Sequence, residues 1–156
     1  MIDEALFRHA MSQFASGVTV VTTAFEGRLG GLTVSSFASL SLNPPLVLVC
    51  IDHSANSHDL IAESGLFAVN ILGEGQEHLS RRFAERDSEK FLPGAFTLSA
   101  AGLPLITGAL AQIECRVHNS LPGGDHTIYV GEVVNAQIGA GRPLLYFRSS
   151  YYALGE

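Results

Sequence analysis

Charge is scarce in this sequence: charged residues fill 15% of its 156 positions, against about 25% in an average soluble domain. Lys90 is the single lysine, and no basic run is longer than Arg81-Arg82. With nine basic residues against fifteen acidic ones and a net charge of −6, the chain has no electrostatic footprint for nucleic acid. Long apolar runs are missing as well. The strongest, residues 46–51, falls far short of the roughly 20 residues a membrane-spanning helix needs, so no membrane segment is expected. The opening Met1-Ile2-Asp3-Glu4 is acidic and has neither the basic nor the apolar part of a secretory signal. A cytoplasmic location is the expectation. Cysteine is limited to Cys50 and Cys115, each isolated in an apolar-patterned strand. They read as reduced core thiols rather than a bridge, a metal pair or a redox motif.

Several catalytic devices are absent too. There is no Walker phosphate loop and no G-x-G-x-x-G after a strand, so any nucleotide must be held without them. His9, His53, His58, His78, His118 and His126 show no H-E-x-x-H or other metal spacing. The G-x-S-x-G elbow of serine hydrolases is lacking.

What is present is apolar: 47% of the chain, enough for a single domain over residues 1–156 around one core. With so little charge to cover a surface, part of that excess belongs in a subunit contact or a ligand groove, and an oligomer is expected. Asp3 can cap a first helix whose stripe is Leu6, Phe7, Ala10, Met11 and Phe14, with Gly17 as its stop. Strands are predicted over 18–25, 32–42, 46–51 and 66–71, with turn signals at Gly27, Gly30 and Gly31 and again at Asn43-Pro44-Pro45. The continuous apolar 46–51 reads as buried on both faces. Helices are predicted over 57–64, closed by Gly65, and over 76–86. Alternation over 109–118, a turn at Pro122-Gly123-Gly124 and a return over 127–138 make an antiparallel hairpin. A last strand spans 144–147. The fold class is therefore α+β, mainly β, with an antiparallel sheet curled into a barrel and a few peripheral helices. A small doubly wound parallel sheet is the rival, because 46–71 reads strand, helix, strand.

Five hydroxyls crowd into Thr33-Val34-Ser35-Ser36-Phe37-Ala38-Ser39-Leu40-Ser41. Hydroxyls and backbone N–H groups are how a protein poor in cations holds phosphate or a polyhydroxyl chain; a serine-rich edge strand is the plain alternative. His53-Ser54-Ala55-Asn56-Ser57 precedes a helix, and with Ser57 as N-cap its first turn offers an anion site, or simply a cap. Arg81 has Glu77 and Glu85 at helical spacing, whereas Arg82 has no such carboxylate and is the freer cation for a phosphate. His126 follows Gly123-Gly124-Asp125 at a strand start, as a ligand-facing imidazole or an ordinary turn residue. Glu132 shares the parity of apolar neighbours, which signals a paired buried carboxylate or a bulge.

The blocks Phe7-Arg8-His9-Ala10-Met11, Phe14-Ala15-Ser16-Gly17-Val18-Thr19-Val20-Val21-Thr22, Gly31-Leu32-Thr33-Val34-Ser35-Ser36-Phe37-Ala38-Ser39-Leu40-Ser41-Leu42-Asn43-Pro44-Pro45, Gly124-Asp125-His126-Thr127-Ile128-Tyr129-Val130-Gly131-Glu132 and Pro143-Leu144-Leu145-Tyr146-Phe147 occur in that order. Together they resemble the flavin reductase-like family of FMN-binding split-barrel proteins. The resemblance implies a homodimeric Greek-key split β-barrel with flavin near the subunit contact. Many such proteins are the NAD(P)H:flavin oxidoreductase partners of two-component flavin monooxygenases. Carried over, Thr33, Val34, Ser35, Ser36 and Ser39 line the isoalloxazine and ribityl chain. Cys50, Ile51 and Asp52 form the strand end beside the ring, and Ser54, Asn56 and Ser57 the phosphate end, to which Arg82 is added. His126, with Gly124 and Asp125, falls on the nicotinamide side, and Tyr146 near it.

The implied reaction is hydride transfer from C4 of NADH or NADPH to N5 of FMN or FAD. The protein's task is then mainly positioning, with Val34 and Phe37 against the ring and His126 as the catalytic imidazole. A dimer that only binds or stores flavin is the alternative from another class. A hydrolase pairing His126 with Ser35 or Ser36 is a third, disfavoured by the missing elbow.

Overall fold

The computed structural model of the protein describes residues 1–86 and 88–155. Helices α1 (Glu4–Met11), α2 (Asn56–Ser64) and α3 (Glu77–Ala84) accompany strands β1 (Ser16–Gly17), β2 (Thr19–Phe25), β3 (Arg28–Val34), β4 (Phe37–Ser41), β5 (Leu46–Asp52), β6 (Leu66–Ile71), β7 (Phe96–Leu98), β8 (Pro104–Ile106), β9 (Ala111–Gly123), β10 (His126–Ile138), β11 (Leu144–Phe147) and β12 (Ser150–Ala153). The main sheet has seven strands in the order β3-β2-β6-β9-β10-β5-β4, each pair antiparallel. The parallel alternative is thereby removed.

The topology dictates the curl. β3 and β4 lie at opposite edges of the sheet, and seven strands spaced by about 4.8 Å would hold them roughly 29 Å apart if flat. Only Ser35 and Ser36 separate the two strands, a link reaching roughly 11 Å at full extension. The sheet must therefore roll until its edges approach. The result is a Greek-key split barrel with Ser35-Ser36 bridging its seam.

Alternation sorts the two larger of three cores. Val21, Val49, Ile51, Phe67, Val69 and Tyr129 fill the barrel. Val18, Val20, Leu72, Leu79, Phe83 and Leu144 form a second layer outside it. Val20 and Val21 belong to different layers because neighbouring strand residues face opposite ways. Asn70, fully buried, donates to Val20 O at 2.9 Å and accepts from Ile106 N at 2.9 Å, so burying its amide leaves nothing unpaired.

Several sequence expectations shift. α1 is capped by Asp3, whose carboxylate accepts from Ala5 N at 2.8 Å, but it stops at Met11 and buries none of its stripe. Strand β5 is buried on one face only: Val47, Val49 and Ile51 face the core, and Leu46, Leu48, Cys50 and Asp52 are half-exposed. Gly30 and Gly31 sit inside β3 rather than at a turn. A Cβ on Gly30 would lie 2.8 Å from Leu60 Cδ1, and one on Gly31 2.7 Å from Phe83 Cε1. They are glycine so that α2 and α3 can lie against the strand. Glu132 pairs with Arg116 at 3.5 Å beside a register shift at Val130/Gly131, so both alternatives for it hold in part.

Candidate functional site

Two cavities flank the seam. The smaller, about 220 Å³, is bounded by Gly31 and Thr33 of β3, Asp52 of β5, Ser54, Asn56 and Ser57 around the start of α2, and Arg86 and Lys90 beyond α3. The larger, about 930 Å³, is walled by Ser35, Ser36, Phe37, Leu48 and Tyr146, with Phe7, Met11 and Phe14 of α1 and its following turn opposite. The stretch 33–36 thus runs from one cavity into the other. Ser36 is pinned by two bonds to the same β5 residue: Cys50 N donates to Ser36 O at 3.2 Å and Ser36 Oγ donates to Cys50 O at 3.2 Å.

The small cavity carries charge of both signs, Arg86 and Lys90 against Asp52 and Glu85. Arg86 Nη2 donates to Ser54 Oγ at 2.8 Å, and Lys90 Nζ donates to Gly31 O at 3.0 Å. Five other arginines, Arg8, Arg28, Arg81, Arg116 and Arg142, face glutamates. Among the described residues the hydrogen-bond partners of the Arg86 and Lys90 side chains are neutral oxygens, which places both cations within reach of an anion in the cavity. Burial holds the Lys90 ammonium below its ordinary 10.5. Asp52 is the counterweight. Bonds from Ser54 N and Ser54 Oγ, each 2.8 Å, hold its carboxyl below the ordinary 3.8, with help from His126 and Arg86.

At the same end of the β5–β10 pair, His126 lies opposite Asp52 in register, and neither it, Gly124 nor Asp125 is among the residues lining the two cavities. Its Nδ1 meets Asp125 Oδ1 at 2.7 Å and its side chain is 39% exposed. Gly124 takes φ +65, the left-handed turn conformation that glycine adopts without strain and that folds β10 back along β9. The carboxylate can only accept, so the His126 Nδ1 carries a proton and donates to it.

Thr33, Asp52, Ser54, Asn56 and Ser57 gather at the small cavity; Ser35, Ser36 and Tyr146 line the large one. Val34 and Ile51 turn into the barrel core, at 5% and 0% exposure, and can offer only backbone to a ligand. The Thr33 hydroxyl already donates to Ser80 O at 2.6 Å, leaving its lone pairs. Ser39 is exposed on the edge strand, outside both cavities. Cys50 lies between Leu48 and Asp52 on the half-exposed face of β5. Ser57 is not the cap: Ala55 holds that position without a side-chain bond, and Ser57 is buried in the first turn. Arg82 does not border either cavity; Arg86, one turn later and past the helix end, does. Spacing marks neither Arg86 nor Lys90: Arg86 falls inside the helix predicted over 76–86, which ends instead at Ala84, and Lys90 follows in a segment without periodicity. The one available signal was that Lys90 is the sole lysine. Arg81 behaves as expected toward Glu77, at 3.4 Å, and also caps the Tyr151 ring at 5.0 Å.

An apolar slot beside a hydroxyl-rich, cation-lined pocket fits a flat heterocycle with a phosphate-bearing polyhydroxyl tail. Among the described residues no His, Cys, Asp and Glu cluster could hold a metal, and no helix is long and apolar enough to cross a membrane.

Comparison with known proteins agrees with this chemistry. The family model described as flavin reductase like domain matches residues 11–155. The reductase component of a 4-nitrophenol 4-monooxygenase/4-nitrocatechol 2-monooxygenase from Rhodococcus opacus is 43% identical, covering 96% of this chain and 80% of the relative. An NADH-dependent flavin reductase from Pseudomonas fluorescens is 38% identical, over 97% and 90%. An NADH:FAD oxidoreductase of Streptomyces globisporus, solved with NAD and FAD fragments, superposes with a TM-score of 0.93 at 37% identity, covering 98% of this chain and 93% of that one.

Proposed function

The chain belongs to the flavin reductase-like family, and on that premise we propose that it is an NAD(P)H:flavin oxidoreductase supplying reduced FMN or FAD to a partner monooxygenase. The observation that carries the reading is the continuous run of residues 33–36 from a cation-lined polar cavity into an apolar one. Bound flavin supplies the acceptor for a hydride from reduced nicotinamide. Arg86, Lys90, Ser54 and the first turn of α2 hold the phosphate-bearing tail, while Ser35, Ser36 and Phe37 orient the ring by contact and by hydrogen bonds. His126, kept in one tautomer by Asp125, steadies the nicotinamide amide beside the ring. No protein nucleophile is required.

Release to a second enzyme needs loose binding, and the openness of both cavities suits that. The protein works as one domain over residues 1–156, a reading supported by the family match over 11–155. It pairs as a homodimer, a reading supported by exposed Phe7, Met11 and Phe14 on and after α1 together with Leu42 and Ile138 at 91% and 88% exposure. Unbridged Cys50 and Cys115 suit the cytoplasm.

The test adds NADH, then NADPH, to purified protein with and without FMN or FAD and follows the nicotinamide absorbance band. Flavin-dependent oxidation is expected, slowed more by His126→Ala than flavin binding is weakened. Flavin uptake without turnover would replace the reductase by a storage protein.

A further inference from the structure

Two imidazoles converge on one hydroxyl beside the proposed site. His58 Nε2 lies 2.7 Å from Thr127 Oγ1, and His53 Nε2 lies 3.2 Å from the same atom. The direction of each bond follows from the carboxylate at the far end. His58 Nδ1 is 3.0 Å from Asp59 Oδ1, and a carboxylate can only accept, so that nitrogen carries the proton. In the neutral tautomer of His58 its Nε2 accepts from the Thr127 hydroxyl, and His53 Nε2–H donates to the same oxygen. Thr127 uses its one proton and one lone pair, and its rotamer is fixed from both sides.

This bridge brackets His126. Thr127 follows His126 directly, and Asp125, which precedes it, has its carbonyl bonded by His53 N at 3.0 Å. His53 therefore holds both neighbours of His126, one through its backbone and one through its ring. α2 grips the same strand a second time, since Tyr129 OH donates to His58 O at 3.1 Å. We propose that Thr127, clamped between His53 and His58, is the positioning residue that sets the reach of His126 toward the nicotinamide. The inference rests on the proposed role of His126. It adds that helix α2, whose first turn borders the small cavity, also fixes the start of β10 that carries the imidazole.

The test is Thr127→Val, which keeps the shape and removes the hydroxyl, with Thr127→Ser as the rescue. Three readouts are taken: kcat/KM for the reduced nicotinamide, equilibrium affinity for oxidised NAD without turnover, and imidazole nitrogen NMR of the ligand-free protein. Thr127→Val is expected to lower kcat/KM and NAD affinity about tenfold, on the scale of a modest misplacement of a contact group. Thr127→Ser should stay within about twofold of the parent, and the flavin dissociation constant should barely move. NMR should show His58 protonated on Nδ1 in the parent. In a His126→Ala background Thr127→Val should have no further effect, because the two residues act as one unit. An equal drop in that background, or a parent-like Thr127→Val, overturns the positioning role. If His126→Ala alone changes nothing, the reading of His126 fails and the positioning role with it, whatever NMR shows of the bridge.

Discussion

Substituting Gly31 by alanine tests the packing that shapes the phosphate-end cavity. The new Cβ would meet Phe83 Cε1 at 2.7 Å, Phe83 Cδ1 at 2.9 Å and Phe91 Cζ at 3.1 Å, where ordinary contact begins near 3.4 Å. Phe83 is 2% exposed and meets Phe91 edge to face at 5.3 Å, so its ring has little room to yield. It must retreat by about 0.7 Å and carry α3 with it, a strain of about 1–3 kcal/mol for an overpacked core. For a chain of this length that is about 2–4 °C in Tm per kcal/mol. The displaced wall bears Arg86 and Lys90, the latter bonded to Gly31 O. Misaligning one such bond at about 1 kcal/mol weakens flavin binding about fivefold. Thermal unfolding and flavin fluorescence titration measure the two effects. Gly131→Ala is the control: its Cβ would meet Phe67 Cζ at 2.5 Å inside the barrel, away from both cavities. It should lower Tm and leave flavin affinity alone. A Gly31→Ala protein with parent-like Tm and affinity would refute the close-approach argument.

Arg86→Gln and Lys90→Gln should each weaken flavin mononucleotide binding about tenfold while leaving riboflavin, which has no phosphate, nearly unaffected; isothermal titration compares the two ligands. The Asp52 carboxyl is held below 3.8 in the folded chain, so its contribution to stability is complete above that pH and is lost as pH falls through the folded value. Asp52→Asn should therefore flatten the acid limb of a urea-midpoint series taken below about pH 4. Burial, aided by Glu114, pushes the Cys115 thiol up to about 12. A thiol reagent at neutral pH should accordingly titrate at most one cysteine in the native protein and two after denaturation.

Where residues repeat with a regular period, the sequence was readable. The β9–β10 hairpin follows from alternation around Pro122-Gly123-Gly124, and the barrel from its many short antiparallel strands. The hydroxyl run at 33–36 and the histidine at 126 read equally well as an edge strand and a turn residue respectively, and only the resemblance of the ordered blocks singled them out. What the sequence could not disclose depends on contact at a distance. Gly30 and Gly31 look like turn formers, since nothing nearby in sequence announces Leu60 or Phe83. Arg82 looked freer than Arg81 because helical spacing was the only available ruler, but the cavity is lined by Arg86 and Lys90 in the segment after the helix. The stripe of α1 predicted burial, yet a single chain gives Phe7 and Met11 nothing to pack against. Val34 and Ile51 fell on the right strands, but facing the core.

Lys90 has one more consequence. A chain with a single lysine offers amine-directed reagents two targets, this side chain and the N-terminus. Its ammonium is tethered to a backbone oxygen at the lip of the phosphate-end cavity, so acylation there replaces a cation with a bulky neutral group at the doorway. The protein thus comes with a built-in attachment point for a dye or cross-linker. On the proposed flavin site, a saturating flavin should slow its labelling.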